Sequence, residues 1–192
     1  DAFQRDIDPY LARLHINATD IVAIVADQNQ HYWYASPDQG LFRYTPEQNT
    51  TQHFPPDSLH EDALSSASIT AADMDKNGYL WIVHEDGILE KLDPASGKVL
   101  FRSPELANLN KYVPMDYQMM IDAEGDLWFY IFERAKGVFY YSATNNQLRH
   151  VHTNSSVATL NTDIVHGVVQ DDNGLIWIGT DHGGINLLDK AN

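Results

Sequence analysis

Residues 170–184 read QDDNGLIWIGTDHGG, an Asp-Asp-Asn-Gly cluster, a tryptophan and a second glycine-rich turn within fifteen residues. Taken alone, the stretch has the acidic and glycine content of a metal-binding or catalytic loop. Its recurrence decides otherwise. The four tryptophans, Trp33, Trp81, Trp128 and Trp177, follow one another at intervals of 48, 47 and 49 residues. Six residues before each stands an aspartate: Asp27, Asp75, Asp122 and Asp171. Three residues before each stands Gly78, Gly125 or Gly174, with Gln30 in the first copy. A fixed period of this length is the mark of a repeat architecture.

Each copy reads as short strands joined by tight turns. An apolar run ends in an Asp/Asn/Gly cluster suited to a hairpin, and the tryptophan strand follows. A second acidic, glycine-bearing turn leads to an apolar-aromatic strand such as GLFRYT or GVFYYS, and a further turn to a more polar fourth strand, TTQHF, KVLFR or QLRHV. Four antiparallel strands in about 48 residues is the size of a propeller blade. The spacing therefore predicts an all-β chain, a β-propeller of about four four-stranded antiparallel blades. The expected boundaries are 14–60, 61–108, 109–155 and 156–192, the last blade lacking its outer strand. Residues 1–13 are expected to be an outer strand of a preceding or closing blade. PELANLNKY, 104–112, has room for a single helical turn.

Composition removes several function classes. A net charge of −15 with only twelve Lys and Arg repels a phosphate backbone, so nucleic acid is not an expected partner. There are no cysteines, hence no disulfides, thiolate metal sites or cysteine nucleophiles. No apolar run approaches the length of a membrane span, so any membrane attachment is expected through a longer parent chain.

LNTDIVHGVVQDDNGLIWIGTDHGGINLLD (160–189) and LHINATDIVAIVADQNQHYWYASPDQGLFRY (14–44) resemble the two-component regulator propeller repeat. The copy at 160–189 matches almost throughout; copies one to three keep the Asp, Trp and Gly landmarks but lose the Gly-Thr after the tryptophan. The third copy also inserts two residues in YIFERAKG. The resemblance implies a periplasmic sensor segment of a hybrid histidine kinase or diguanylate cyclase type protein, part of a larger ring of about seven blades. It also implies dimerisation in the parent protein.

The remaining motifs divide into structural and candidate binding residues. Asp73, Asp75 and Asn77 in DMDKNG open like a calcium loop, but position twelve is His84 rather than Glu, so no metal is assigned. Asp73 stands where the other copies have Val25, Met120 and Val169. The repeating tryptophans are expected to pack between blades, and the repeating aspartates and glycines to form turns. His150 and His152 fall on a fourth strand and read as solvated surface. The turns between second and third strands vary most among copies, as a ligand-reading surface requires. They offer Asp38; His84 and Glu85; Phe132, Glu133 and Arg134; and Asp181 and His182. Tyr130, Phe132 and Arg134 could form an aromatic platform for a sugar. No catalytic triad or paired-carboxylate motif repeats, and no cofactor is called for. The leading expectation is a non-catalytic sensor segment binding a small molecule or oligosaccharide. Against it stand a propeller enzyme resembling streptogramin lyase, whose repeats carry a Gly-Leu-Trp-Phe phrase similar to GDLWF here, and a protein-interaction scaffold.

Overall fold

The computed structural model describes residues 21–57, 59–132, 134–156 and 158–190. The outer strand expected over residues 1–13 lies outside them. Four antiparallel sheets follow the four copies, each with its strands in chain order. The first holds β1 (Ala23–Ala26), β2 (Tyr32–Ser36), β3 (Gly40–Thr45) and β4 (Thr50–Phe54). The second holds β5 (Ile69–Met74), β6 (Leu80–His84), β7 (Leu89–Asp93) and β8 (Lys98–Ser103). The third holds β9 (Tyr117–Ile121), β10 (Leu127–Ile131), β11 (Val138–Ser142) and β12 (Gln147–Val151). The fourth holds β13 (Val165–Gln170), β14 (Ile176–Thr180) and β15 (Gly184–Leu188). A short helix, α1 (Glu105–Leu109), is the helical turn expected from PELANLNKY.

The six-residue interval between Asp and Trp has a direct cause. In the third sheet Asp122 Oδ1 accepts the backbone N–H groups of Glu124, Gly125 and Asp126 at 2.9–3.1 Å, while Oδ2 accepts the indole N–H of Trp128 at 2.9 Å. Asp27 does the same for Asn29, His31 and the Trp33 indole, the last at 3.1 Å. Asp171 does it for Asn173, Leu175 and the Trp177 indole, at 2.9 Å. One carboxylate thus closes the hairpin and fixes the ring of the strand that follows. Burial alone would raise the pKa of Asp27, but the indole and backbone donors outweigh it and hold the carboxyl below its usual range. Within the same turns Gln30, Gly78, Gly125 and Gly174 all have positive φ. Glycine takes that conformation without strain, and Gln30 is the copy that does not use it.

The chain divides into two compact units. The first comprises Asp1–Met74, Gly78–His84 and Glu90–Phe101; the second comprises Asp75–Asn77, Glu85–Leu89 and Arg102–Asn192. In the first unit Trp33, Ala35 and Leu41 of the first sheet pack against Leu80, Ile82, Leu92 and Val99 of the second. The Arg43 guanidinium lies 5.4 Å from the Trp33 ring and donates to the Pro94 carbonyl at 2.8 Å. Gly97, at φ +72°, fits against the Phe54 ring, where an added Cβ would collide.

In the second unit Trp128 and Val138 of the third sheet pack against Val165, Val168, Ile176 and Ile178 of the fourth. Lys190, just past β15, reaches back with its ammonium to Asp122 and, at 2.7 Å, to Asp126. Burial disfavours that charge, but the two carboxylates raise the Lys190 pKa well above its ordinary value. Tyr140 completes the cluster by donating its hydroxyl to Asp126.

Packing corrects one expectation. Trp33, Trp81 and Trp128 are buried, but Trp177 is 36% exposed. Its face of the fourth sheet, with Val169 and Leu187 in the same cross-strand row, is open among the described residues. The corresponding face of the third sheet is covered by the fourth. Trp177 keeps its bond to Asp171 without the burial.

On the fourth strands two histidines stack on phenylalanines of the neighbouring strand while keeping exposed surface. His53 stacks on Phe42 with ring centroids 4.3 Å apart, and His150 on Phe139 at 4.4 Å. Each imidazole Nε2 meets a carbonyl oxygen, of Gln39 at 2.8 Å and of Lys136 at 2.6 Å. A carbonyl only accepts, so Nε2 carries the proton. Burial pushes the His150 pKa down.

Candidate functional site

The second-to-third turns were the predicted binding surface, and they do not behave alike. In the first sheet Asp38 accepts the Ser36 hydroxyl at 2.7 Å and borders a cavity of about 510 Å³ with Phe42, Thr51 and His53. In the second, His84 is not on the rim. It ends β6 fully buried, its Nε2 2.9 Å from Glu90 Oε2, while Glu90 Oε1 accepts the Ser65 N–H at 3.1 Å. Both side chains are under cover, with no exposed surface, and His84 Nδ1 is buried without a hydrogen-bond partner among the described residues. Glu85 is exposed, and its carbonyl receives the Met115 N–H.

The fourth sheet repeats this inner clasp in neutral form. Asn186 Oδ1 accepts the Asn161 N–H at 3.0 Å, and its amide lies 3.4 Å from the Thr180 hydroxyl. Glu90 and Asn186 both stand nine residues after their tryptophan, each held by a connector N–H 25 residues earlier. In the first and third sheets that place is taken by Phe42 and Phe139. Sequence reading missed these pairs. The signal was a charged or amide residue at a position that is otherwise phenylalanine.

The second unit brings the other candidates together. Its third-sheet turn, containing Phe132 and Arg134, and its fourth-sheet turn, containing Asp181 and His182, are both tied to the connector before β13. Gly137 N–H bonds the Asp163 carbonyl at 2.8 Å, Ala135 bridges Ile164, and Asp181 N–H bonds the Ile164 carbonyl at 2.9 Å. The Phe132 ring is 48% exposed and meets His166 edge-on, with centroids 5.3 Å apart. Asp181 Oδ1 lies 2.8 Å from His182 Nδ1 and 3.6 Å from His166 Nε2. The His182 contact, aided by His166, holds the Asp181 carboxyl below the usual range. His166 was not foreseen, because only the connector brings it between the two turns. Arg134 is exposed on the same turn as Phe132, and Glu133 lies outside the described residues. Tyr130 does not join this surface. It packs half-buried against the core containing Trp128, and burial raises its pKa.

The calcium-like motif resolves into turn and strand. Asp75 is buried, with Oδ1 accepting the Asn77 N–H at 2.9 Å. Asp73 lies on β5 opposite Trp81, half-buried, bonded to the Met74 N–H, its pKa raised by burial. Among the described residues no group of three or more His, Asp or Glu side chains is arranged to hold a metal ion, and no helix is long and apolar enough to cross a membrane.

Comparison with known proteins bears out the resemblance and the fold. Residues 159–182 match the family described as the two component regulator propeller. No curated protein matches the chain. Among solved structures, the extracellular domain of BT4673 from B. thetaiotaomicron, described as a one component system, is 18% identical with a TM-score of 0.65, over 90% of this chain and 23% of that one. PorZ, a surface component of the type-IX secretion system of Porphyromonas gingivalis, is 19% identical with a TM-score of 0.64, over 89% and 25%. Virginiamycin B lyase from Staphylococcus aureus is 10% identical with a TM-score of 0.59, over 88% and 55%. These likenesses show the β-propeller fold, in partial form with about four blades. The chain spans about a quarter of the length of the first two structures.

Proposed function

We propose that this chain is a non-catalytic, periplasmic sensor segment of a bacterial two-component-type signalling protein, and that it binds a small molecule or oligosaccharide at the rim of its second unit. The regulator-propeller match at 159–182 and the likeness to extracellular domains of signalling proteins support the sensor class. The observation that carries the binding site is the meeting of Phe132, His166, Asp181 and His182 on two turns braced by one connector. An exposed aromatic ring beside a carboxylate and two imidazoles offers an apolar surface together with directional donors and acceptors, the pairing that polyhydroxylated ligands use. Signalling would follow if such a ligand favoured one arrangement of a dimeric parent over another. Calorimetric titration with a panel of oligosaccharides and small metabolites tests the site. The expected result is a saturable ligand whose affinity falls at least tenfold in Phe132→Ala and His166→Ala. A ligand that binds both variants as well as the parent chain would move the site elsewhere.

One observation favours a second reading, a propeller enzyme. His166, Asp181 and His182 are clustered on one rim, as a general acid–base would require. That reading predicts turnover of virginiamycin B by the chain, abolished in His166→Ala.

A further inference from the structure

The four turns between second and third strands differ in charge. Those of the first, second and fourth copies, SPDQG (36–40), HEDG (84–87) and TDHGG (180–184), carry acidic residues and no lysine or arginine. The third, FERAKG (132–137), holds the two-residue insertion and carries Arg134 and Lys136, two of the twelve bases in a chain of net charge −15. Its backbone is tied down along its length. Arg134 N–H bonds the Ile131 carbonyl at 3.2 Å, Lys136 N–H the Arg134 carbonyl at 2.8 Å, and Gly137 N–H the Asp163 carbonyl at 2.8 Å. The Lys136 carbonyl accepts His150 Nε2–H at 2.6 Å. Both basic residues remain exposed.

The carboxylates described on the two turns of this rim and on the connector between them are already engaged. Asp163 Oδ1 accepts the Thr153 N–H at 2.7 Å, and Oδ2 accepts the Thr153 hydroxyl at 3.0 Å. Asp181 Oδ1 lies 2.8 Å from His182 Nδ1 and 3.6 Å from His166 Nε2. Neither Arg134 nor Lys136 makes an ion pair or a side-chain hydrogen bond among the described residues. At this rim the negative charges are matched and the positive ones are not. The net charge of the chain repels anions at a distance, so an anion is held only where unpaired bases meet it at contact range.

We propose that the ligand of this rim is an acidic saccharide. Its sugar ring lies against Phe132, and its carboxylate or sulfate group is taken by Arg134, with Lys136 adding a second positive charge. The proposal rests on the rim being the ligand site. A guanidinium presents parallel N–H donors that match two oxygens of either anionic group, and the lysine ammonium acts as a point charge beside it. Asp181 and its two imidazoles are left to bond the sugar hydroxyls, which both donate and accept.

The full chain is titrated calorimetrically with tetragalacturonate, with its methyl ester, which has the same sugars without the charge, and with a sulfated galactose tetrasaccharide. The expected result is saturable binding of an acidic probe, about tenfold tighter or more than that of the ester. The tighter of the two acidic probes identifies the anionic group. Arg134→Gln is expected to remove the preference for acid while leaving ester binding unchanged, which also shows that the variant is folded. Equal affinity for tetragalacturonate and its ester, or a preference for acid that survives Arg134→Gln combined with Lys136→Gln, would overturn the acid assignment and leave the site in place. Absence of binding by all three probes, or unchanged binding in Phe132→Ala, would overturn the site and the proposal with it.

Discussion

Asp122 and Trp128 are joined by a 2.9 Å bond from the indole N–H to a carboxylate oxygen that is shielded from solvent, and Asp171 and Trp177 repeat that bond at the same length in the open. Identical geometry in unlike surroundings separates the bond from its burial. Asp122→Ala strands a buried indole N–H and three backbone donors and is expected to cost about 2–3 kcal/mol in urea unfolding, whereas Asp171→Ala, where water replaces the carboxylate, is expected to cost clearly less. Equal losses at the two sites would contradict this account.

Lys190 presents a second contrast. Its ammonium faces Asp122, whose side chain has no exposed surface, and Asp126. Lys190→Met is expected to destabilise the protein by about 3 kcal/mol at pH 7, because a buried carboxylate loses its partner. Burial opposes the charge of Asp126, but Lys190 and Tyr140 outweigh it and hold the carboxyl below its usual range. Its stabilising contribution is therefore present above about pH 4 and lost as pH falls through the depressed folded value. The difference between parent and variant should shrink below pH 4, which denaturant titrations at pH 7 and pH 3 will show.

Asp73 has the opposite sign. Burial raises its pKa and the Met74 N–H only partly compensates. A carboxyl that keeps its proton longer when folded costs nothing below about pH 4 and destabilises increasingly as pH rises through the folded value. Asp73→Asn is accordingly expected to stabilise by about 1 kcal/mol at pH 7 and to be neutral at pH 3. A loss of stability at pH 7 would mean that the carboxylate has a favourable role on β5.

Gly87 and Gly184 both have positive φ, at +88° and +72°. An added Cβ at Gly87 would stand 2.9 Å from the backbone of Ala107, and at Gly184 nothing lies within 4 Å. Gly184→Ala therefore pays only backbone strain, about 1 kcal/mol, while Gly87→Ala adds a collision and should cost at least about 2 kcal/mol by thermal unfolding.

The parts of the fold legible in the sequence are those whose interactions are local. The Asp, Gly and Trp landmarks could be read because the bonds that close the turn and fix the indole all lie within six residues of the aspartate. The burial of Trp177 could not, since a residue's cover is set by the neighbouring sheet. His84 looked like a rim residue by position, and Glu90, six residues on across the hairpin, draws it inside. Phe132 and Asp181 could be named as candidates from the variability of their turns. Their meeting with His166 depends on the Ala135–Ile164 bridge, and no spacing rule encodes that. The stacking of His150 on Phe139 was not legible because alternation along a strand says nothing about a phenylalanine on the strand beside it.

The Asp-to-Trp clasp has a kinetic consequence. Each clasp closes a loop of six residues, whose ends meet at small entropic cost, so a hairpin can form in each copy before any sheet finds its neighbour. Assembly then proceeds by docking of preformed hairpins, and the slow step is the long-range contact between sheets. Mutations at Asp122 should slow folding, and mutations at Lys190, which joins residues 68 apart, should chiefly speed unfolding. The landmark that betrays the repeat to a reader of the sequence is thus also the place where the chain begins to fold.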